Sequence, residues 1–303
     1  MPHTNARQSP YQGGGPERYT LADGDLPWEV PKADYVPPLY NAAILCKDPQ
    51  PFWADPLDAR GIVHNAYDST QKNDRTSHEG PYDANERNEP MNPRGRSGLA
   101  GRGLLGRWGP NHAADPVVTK WKRDENGNKT FDDEGRPILE FVAIKRNDTG
   151  DWAIPGGMVD PGENVSLTLK REFGEETMAA MELPPDERAA LMSSLDGVFK
   201  AGVCVYSGYV DDIRNTDHAW METTCVNFHD EDGNSLSKFK LAAGDDAGDV
   251  AWTAYHDGIR LYATHATFIE TIWKMRVALH FHLEKKAAAD SQTLESGRHA
   301  TWL

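Results

Sequence analysis

Residues 157–179 read GMVDPGENVSLTLKREFGEETMA. Pro161-Gly162 sets a turn, and Glu163 stands in it just ahead of a helix predicted over Val165–Met181. Arg171, Glu172, Glu175 and Glu176 crowd into that helix. At about 100° per residue, Glu172, Glu175 and Glu176 share an arc of roughly 100°, overlapping an apolar stripe of Val165, Leu169 and Phe173. Like charges at these spacings repel by roughly 0.2–0.5 kcal/mol per exposed pair. The acids therefore sit at the rim of a buried face, as an oxygen-only donor set. Such a set suits a hard cation, Mg²⁺ or Mn²⁺, and a phosphate-bearing ligand. A solvated acidic face is the competing reading of a helix with this pattern.

Outward from the helix, the chain alternates strand and turn signals. Val117–Arg123 and Ile138–Arg146 are predicted strands joined through DENGNK and DDEGRP, which predicts a hairpin. A short strand over Trp152–Ile154 leads into Pro155-Gly156-Gly157. A second helix is predicted over 185–196, with Pro185 at its start. Strands follow at Val203–Val210, Ala219–His229 and Val250–Thr253, and the longest helical pattern runs from His265 to about Ala287. Upstream, residues 1–25 read as loosely ordered, and residues 28–53 as irregular structure with one strand over Tyr40–Leu45. Residues 68–92 are almost wholly polar and read as a surface loop, with Tyr82 a candidate to stack on a ligand. Residues 94–109 hold six glycines and four arginines, Arg94, Arg96, Arg102 and Arg107. Glycine permits close backbone approach and arginine forks onto phosphate, so an anion-binding loop is one reading. A flexible RNA-binding segment is the other, and Leu104, Leu105 and Trp108 favour an ordered loop.

Composition bounds the function. With 32 Lys and Arg against 47 Asp and Glu, the net charge is −15. That argues against a general nucleic-acid backbone binder. No run of about 18 apolar residues appears, so no membrane contact by this chain is expected. Cys46, Cys204 and Cys225 are far apart, odd in number and without metal-ligand spacing. They read as free thiols of a reducing compartment, taken as cytoplasmic. The first 15 residues have no apolar core of a secretory signal, and their single arginine makes a poor transit peptide.

The spacing of Gly157, Glu163, Arg171, Glu172, Phe173, Glu175 and Glu176 resembles the Nudix box, G-x5-E-x7-R-E-φ-x-E-E. The pattern goes on to Gly where this chain has Met178, and Phe173 fills a usually aliphatic slot. Further stretches narrow the resemblance: SPY at 9–11, GRGLLGRWGPNHAADP at 101–116, VTKWKRDENGNK at 118–129, WAIPGGMVDPGE at 152–163, GYVDDIRNTDHAWMET at 208–223 and AGDDAG at 243–248. Together, from about Asn5 to His280, they resemble mitochondrial-type ADP-ribose pyrophosphatases and the homologous C-terminal domain of ADP-ribose-gated melastatin-type cation channels.

The resemblance implies an α+β fold: an αβα Nudix sandwich over 117–303 behind a smaller substrate-holding lobe over 1–116. It implies hydrolysis of ADP-ribose to AMP and ribose 5-phosphate, with Glu172, Glu175 and Glu176 as Mg²⁺ (or Mn²⁺) ligands. Arg171 would orient a glutamate, and Glu163 would support the loop–helix–loop. The general base is open between Glu176, Asp245 and Asp246, with Glu175 also at the catalytic centre. Asp212, Arg214, Asp217, Tyr262 and His265 are the implied substrate contacts. For Asp212, Arg214 and Asp217, in DDIRNTD at 211–217, a self-bonded turn is the alternative. Mitochondrial location is implied by the family. The alternative function is a sensor domain that binds ADP-ribose with or without cleaving it. The initial Met and the lack of a membrane segment leave a free enzyme or a piece of something longer.

Overall fold

The computed structural model describes residues 3–147, 150–178, 180–233, 241–243, 247–262 and 264–299. The first hundred residues make little regular structure. Strand β1 (Leu39–Asn41) pairs in parallel with β4 (Ala100–Gly103), and β2 (Tyr67–Asp68) pairs antiparallel with β3 (Asn73–Asp74). The strand expected over 40–45 stops at Asn41. The chain turns instead into a 3₁₀ helix, Ala43–Cys46, that drops Leu45 into a small core with Ala42 and Ala54.

Irregular backbone leaves carbonyls that regular ladders would have satisfied. Buried arginines take that role here. Arg96 donates to the carbonyls of Asp25 and Pro27, at 2.8 and 2.7 Å. Arg102 donates to those of Asp55 and Gly106, at 2.8 and 2.6 Å. Arg75 and Arg107 converge on the buried Asp55 carboxylate, 2.7 and 2.8 Å away. Burial alone would raise that carboxyl's pKa; the two guanidinium groups outweigh it and hold it below the usual range. The arginines of 94–109 are thus structural rather than phosphate forks, Arg94 being paired with Glu79. Gly98 fits the same account: its φ is +85°, and a side chain there would strike the carbonyl of Tyr19.

Residues 3–25 are pinned, not loose. The Asp211 carboxylate accepts from the backbone N–H of Thr4, Asn5 and Ala6. His3 meets the Tyr209 hydroxyl at 2.9 Å.

The strands of the second half form one mixed sheet. In chain order they are β5 (Gly109–Trp121), β6 (Leu139–Arg146), β7 (Trp152–Ala153), β8 (Gly157–Met158), β9 (Val203–Val210), β10 (Ala219–Asp230) and β11 (Ala247–Ala254). The order across the sheet is β11-β6-β5-β10-β9, with β7 on β6 and β8 on β5. The predicted β5–β6 hairpin is present, with Thr119 opposite Phe141. β10 lies parallel to β5 from Ala219↔Gly109 to Asp230↔Lys120. The join expected near residue 117 falls inside β5.

Side chains alternate between the two faces of a strand. Val117, Trp121, Phe141 and Ala143 pack on one face against Phe268, Ile269 and Ile272 of α3 (His265–His299). Val118 and Val142 pack on the other, against Leu169 and Phe173 of α1 (Val165–Met178) and Leu195 of α2 (Pro185–Val198). This is an αβα sandwich. α3 extends to His299, past its expected end near Ala287. α1 begins where the Asn164 side chain caps the Leu167 N–H at 3.0 Å. It ends at Met178, three residues short of expectation, because the Thr177 carbonyl accepts from Ala242 instead of a further turn. Met178, standing where the resembled pattern has Gly, is buried in the α1–α2 core.

Candidate active site

A cavity of about 450 Å³ opens between β5, β10, α1 and the start of α3. Its size suits a nucleotide-scale ligand. One wall is carboxylate. Glu172 and Glu176, one turn apart on α1, face it along with Asp115 of β5. These acids close around the glycines at 156–157. The Gly156 N–H donates to Glu176 Oε2 at 2.9 Å. A side chain at Gly157 would overlap the Glu172 carboxylate, and one at Gly156 would overlap Asp115. The glycine pair is therefore required by close approach.

Arg171 organises the acids from behind. Its Nε and Nη2 each lie 3.0 Å from the two oxygens of Glu163. Its Nη1 lies 2.8 Å from Glu172 and 3.0 Å from Glu175. Glu163 also accepts from the Thr168 hydroxyl at 2.7 Å. Of the three predicted metal ligands, Glu172 and Glu176 line the cavity while Glu175 rests on Arg171. Burial raises the Glu172 carboxyl from 4.5 to about 7; Arg171 pulls it back and Glu175 pushes it further up. Burial likewise lifts Asp115 to about 6, against the bond it accepts from the Thr223 hydroxyl at 2.7 Å.

The cavity lining also carries cations and rings. Arg146, at the end of β6, places its guanidinium 4.4 Å from the centre of the Tyr262 ring. Arg214 is held bidentate by Asp212, with both contacts at 2.8 Å. The Tyr11 hydroxyl donates to the Arg214 carbonyl at 2.9 Å, so the N-terminal segment braces this loop. His265 accepts the Ile154 N–H on Nδ1 at 3.2 Å, which leaves its proton on Nε2. Burial and the nearby Arg146 push its pKa down to about 3, so the ring stays neutral.

Six predicted residues thus meet here: Glu172, Glu176, Asp212, Arg214, Tyr262 and His265. Two are placed elsewhere. Tyr82 is buried against Trp220, its ring 5.0 Å away, and its hydroxyl donates to the Arg75 carbonyl. It is a core residue, not a base platform. Asp217 accepts from Ser97 N–H, Ser97 Oγ and Tyr35 Oη at 2.6–2.9 Å. It ties the lobes together rather than facing the cavity. Asp245 and Asp246 lie outside the described residues. Asp115, Arg146 and Thr223 were missed. Asp115 left one signal, a lone acid within the apolar run AADPVV.

Carboxylates and arginines lining one nucleotide-sized cavity suit the hydrolysis of phosphate anhydrides. A family described as "NUDIX domain" matches residues 130–270, and one described as "NUDT9-like, N-terminal domain" matches residues 21–109. The chain belongs to the Nudix hydrolase family, in the branch that joins these two domains. It is 48% identical over 295 residues to the mitochondrial ADP-ribose pyrophosphatase of Rattus norvegicus, covering 96% of this chain and 83% of that protein. It is 43% identical to putative nudix hydrolase 6 of Caenorhabditis elegans, covering 86% of this chain and 92% of that one. It is also 46% identical to the transient receptor potential cation channel subfamily M member-like 2 of Nematostella vectensis, covering 91% of this chain but only 18% of the channel.

Proposed function

We propose that this chain hydrolyses ADP-ribose, with water, to AMP and ribose 5-phosphate. The observation that carries the reading is that Glu172 and Glu176 face the same cavity as Arg146 and Arg214. The carboxylates can hold divalent cations and the arginines a bridged diphosphate. The rat relative, whose name specifies ADP-ribose, supports the substrate.

The donor set fits a divalent cation: oxygen donors only, with glycine kept wherever a side chain would displace a carboxylate. Glu172 and Glu176 would hold Mg²⁺, with Glu175 turning in from Arg171. The bound ion supplies charge neutralisation for the pyrophosphate and its leaving group. Glu176 accepts the proton of the attacking water, held in place by the Gly156 N–H. The water oxygen bonds to phosphorus as the bridging P–O bond breaks. Arg146 and Arg214 neutralise the phosphates, Tyr262 packs on the ligand, and neutral His265 donates from Nε2. Asp212 sets the Arg214 fork. The residues ahead of β5 serve as the holding lobe, and β5 onward as the catalytic domain. The three free cysteines suit a reducing compartment, cytoplasm or mitochondrial matrix.

The sensor reading has one observation in its favour, the match to a short part of a channel-like relative. Incubation with ADP-ribose and Mg²⁺ separates the two. Release of AMP and ribose 5-phosphate is expected, and Glu176→Gln should cut turnover about 10²–10⁴-fold while the protein stays folded by circular dichroism. Tight binding with no AMP would leave only the sensor. An undiminished rate in Glu176→Gln would remove that residue as base.

A further inference from the structure

A second group of ligating side chains lies apart from the cavity. Strand alternation sends Ala113, Asp115, Met221 and Thr223 into the cavity and sends His112 and Glu222 to the opposite face of the same two strands. His112 and Glu222 are direct partners in the β5–β10 register. His78, from the loop after β3, reaches over them, its ring centre 5.1 Å from that of His112. One ligand atom from each of His78, His112 and Glu222 falls within 4.8 Å of the others.

The surroundings are those of a ligand set. The His112 Nε2 is buried and has no hydrogen-bond partner among the described residues. It is the ring nitrogen that a bound ion would occupy. Glu222 is fully buried. It is held by neutral donors: Ser77 Oγ and Trp220 Nε1 on Oε1, and the His78 N–H on Oε2. Those bonds aim the carboxylate but bring it no charge. Asp74 lies within electrostatic reach of both imidazoles and adds further negative potential.

We propose that His78, His112 and Glu222 form a binding site for a first-row transition ion, Zn²⁺ foremost, that clamps the loop of the N-terminal lobe onto the catalytic sheet. Two imidazoles and one carboxylate with an open fourth position match zinc chemistry and are poorly suited to Mg²⁺. A tetrahedral ion needs its ligands about 3.3 Å apart, from bond lengths of about 2.0–2.1 Å. The exposed His78 is the ligand that swings in to close that distance.

The test uses the full chain, stripped with chelator and then kept in excess Mg²⁺. Zn²⁺ is titrated while bound zinc and the thermal midpoint are followed, and Co²⁺ reports the ligand field. Wild type should retain one zinc per chain, and its midpoint should rise with Zn²⁺. Glu176→Gln should behave alike. His78→Ala changes an exposed residue, so its metal-free midpoint should match wild type while its zinc affinity drops more than about tenfold, at least the loss seen for outer-shell partners. His112→Ala should lose zinc affinity likewise, with a lower metal-free midpoint because it removes a packed ring. Zinc uptake unchanged in His78→Ala, lost in Glu176→Gln, or absent from wild type would overturn the proposal.

Discussion

At the level of single residues, the site is a matter of acids placed where they repel. Glu172 is buried, and its carboxyl is lifted to about 7. In the unfolded chain it would titrate near 4.5. The folded state therefore keeps a proton that the unfolded chain has released. Its contribution is complete below the unfolded value and disappears as pH rises through about 7. Cation-free protein should accordingly lose stability between about pH 4.5 and 7, in a denaturant titration repeated across pH. Glu172→Gln should flatten that slope, and Mg²⁺ should reverse it by taking the proton's place. A wild-type slope of opposite sign would refute the burial argument. The acids were legible because their spacing is local to one helix. Arg146 was not, since an arginine at a strand end has the same local pattern whether it faces solvent or a cavity. Asp217 was misread for a related reason. Its partners, Ser97 and Tyr35, lie far away in sequence.

Elements were legible wherever periodicity was strong. β9 (Val203–Val210) has the predicted ends, and α1 starts on the predicted residue. The misses have tertiary causes. α1 ends early because Ala242 takes the carbonyl of Thr177. β5 starts eight residues before its predicted first residue, at Gly109, because β10 pairs with it from Ala219 onward. No local pattern in GPNHAADP announces a partner a hundred residues on. α3 shows what tertiary packing is worth. Ile272 is fully buried between the helix and the sheet. Ile272→Ala should cost about 2–5 kcal/mol in chemical denaturation, while ADP-ribose affinity at low temperature stays near wild type. A loss below about 1 kcal/mol would mean that the α3 layer can collapse around the gap.

Across the whole molecule, the N-terminal lobe relies on charge where the sandwich relies on apolar burial. Asp55 is the hub, fully buried, with Arg75, Arg107 and the Trp108 N–H converging on it. Breaking a buried pair leaves uncompensated charge, so Asp55→Asn should destabilise by about 3–5 kcal/mol. The measurement is the urea midpoint, and an unchanged midpoint would show that Asp68 alone compensates Arg75. The two-layer packing around the sheet followed from the order of strands and helices. The lobe did not, because its arginines looked like ligands for phosphate and prove to hold its own backbone carbonyls and carboxylates. The long parallel pairing of β5 with β10 also bears on how the protein is made. On the ribosome, β5 emerges about a hundred residues before the strand that covers its edge. Until then that edge is open to other chains. The cavity is complete only after His265 has been synthesised. A nascent chain therefore passes through a long interval in which it is sticky and inactive, and a stalled or truncated message should yield aggregate rather than a partly working enzyme.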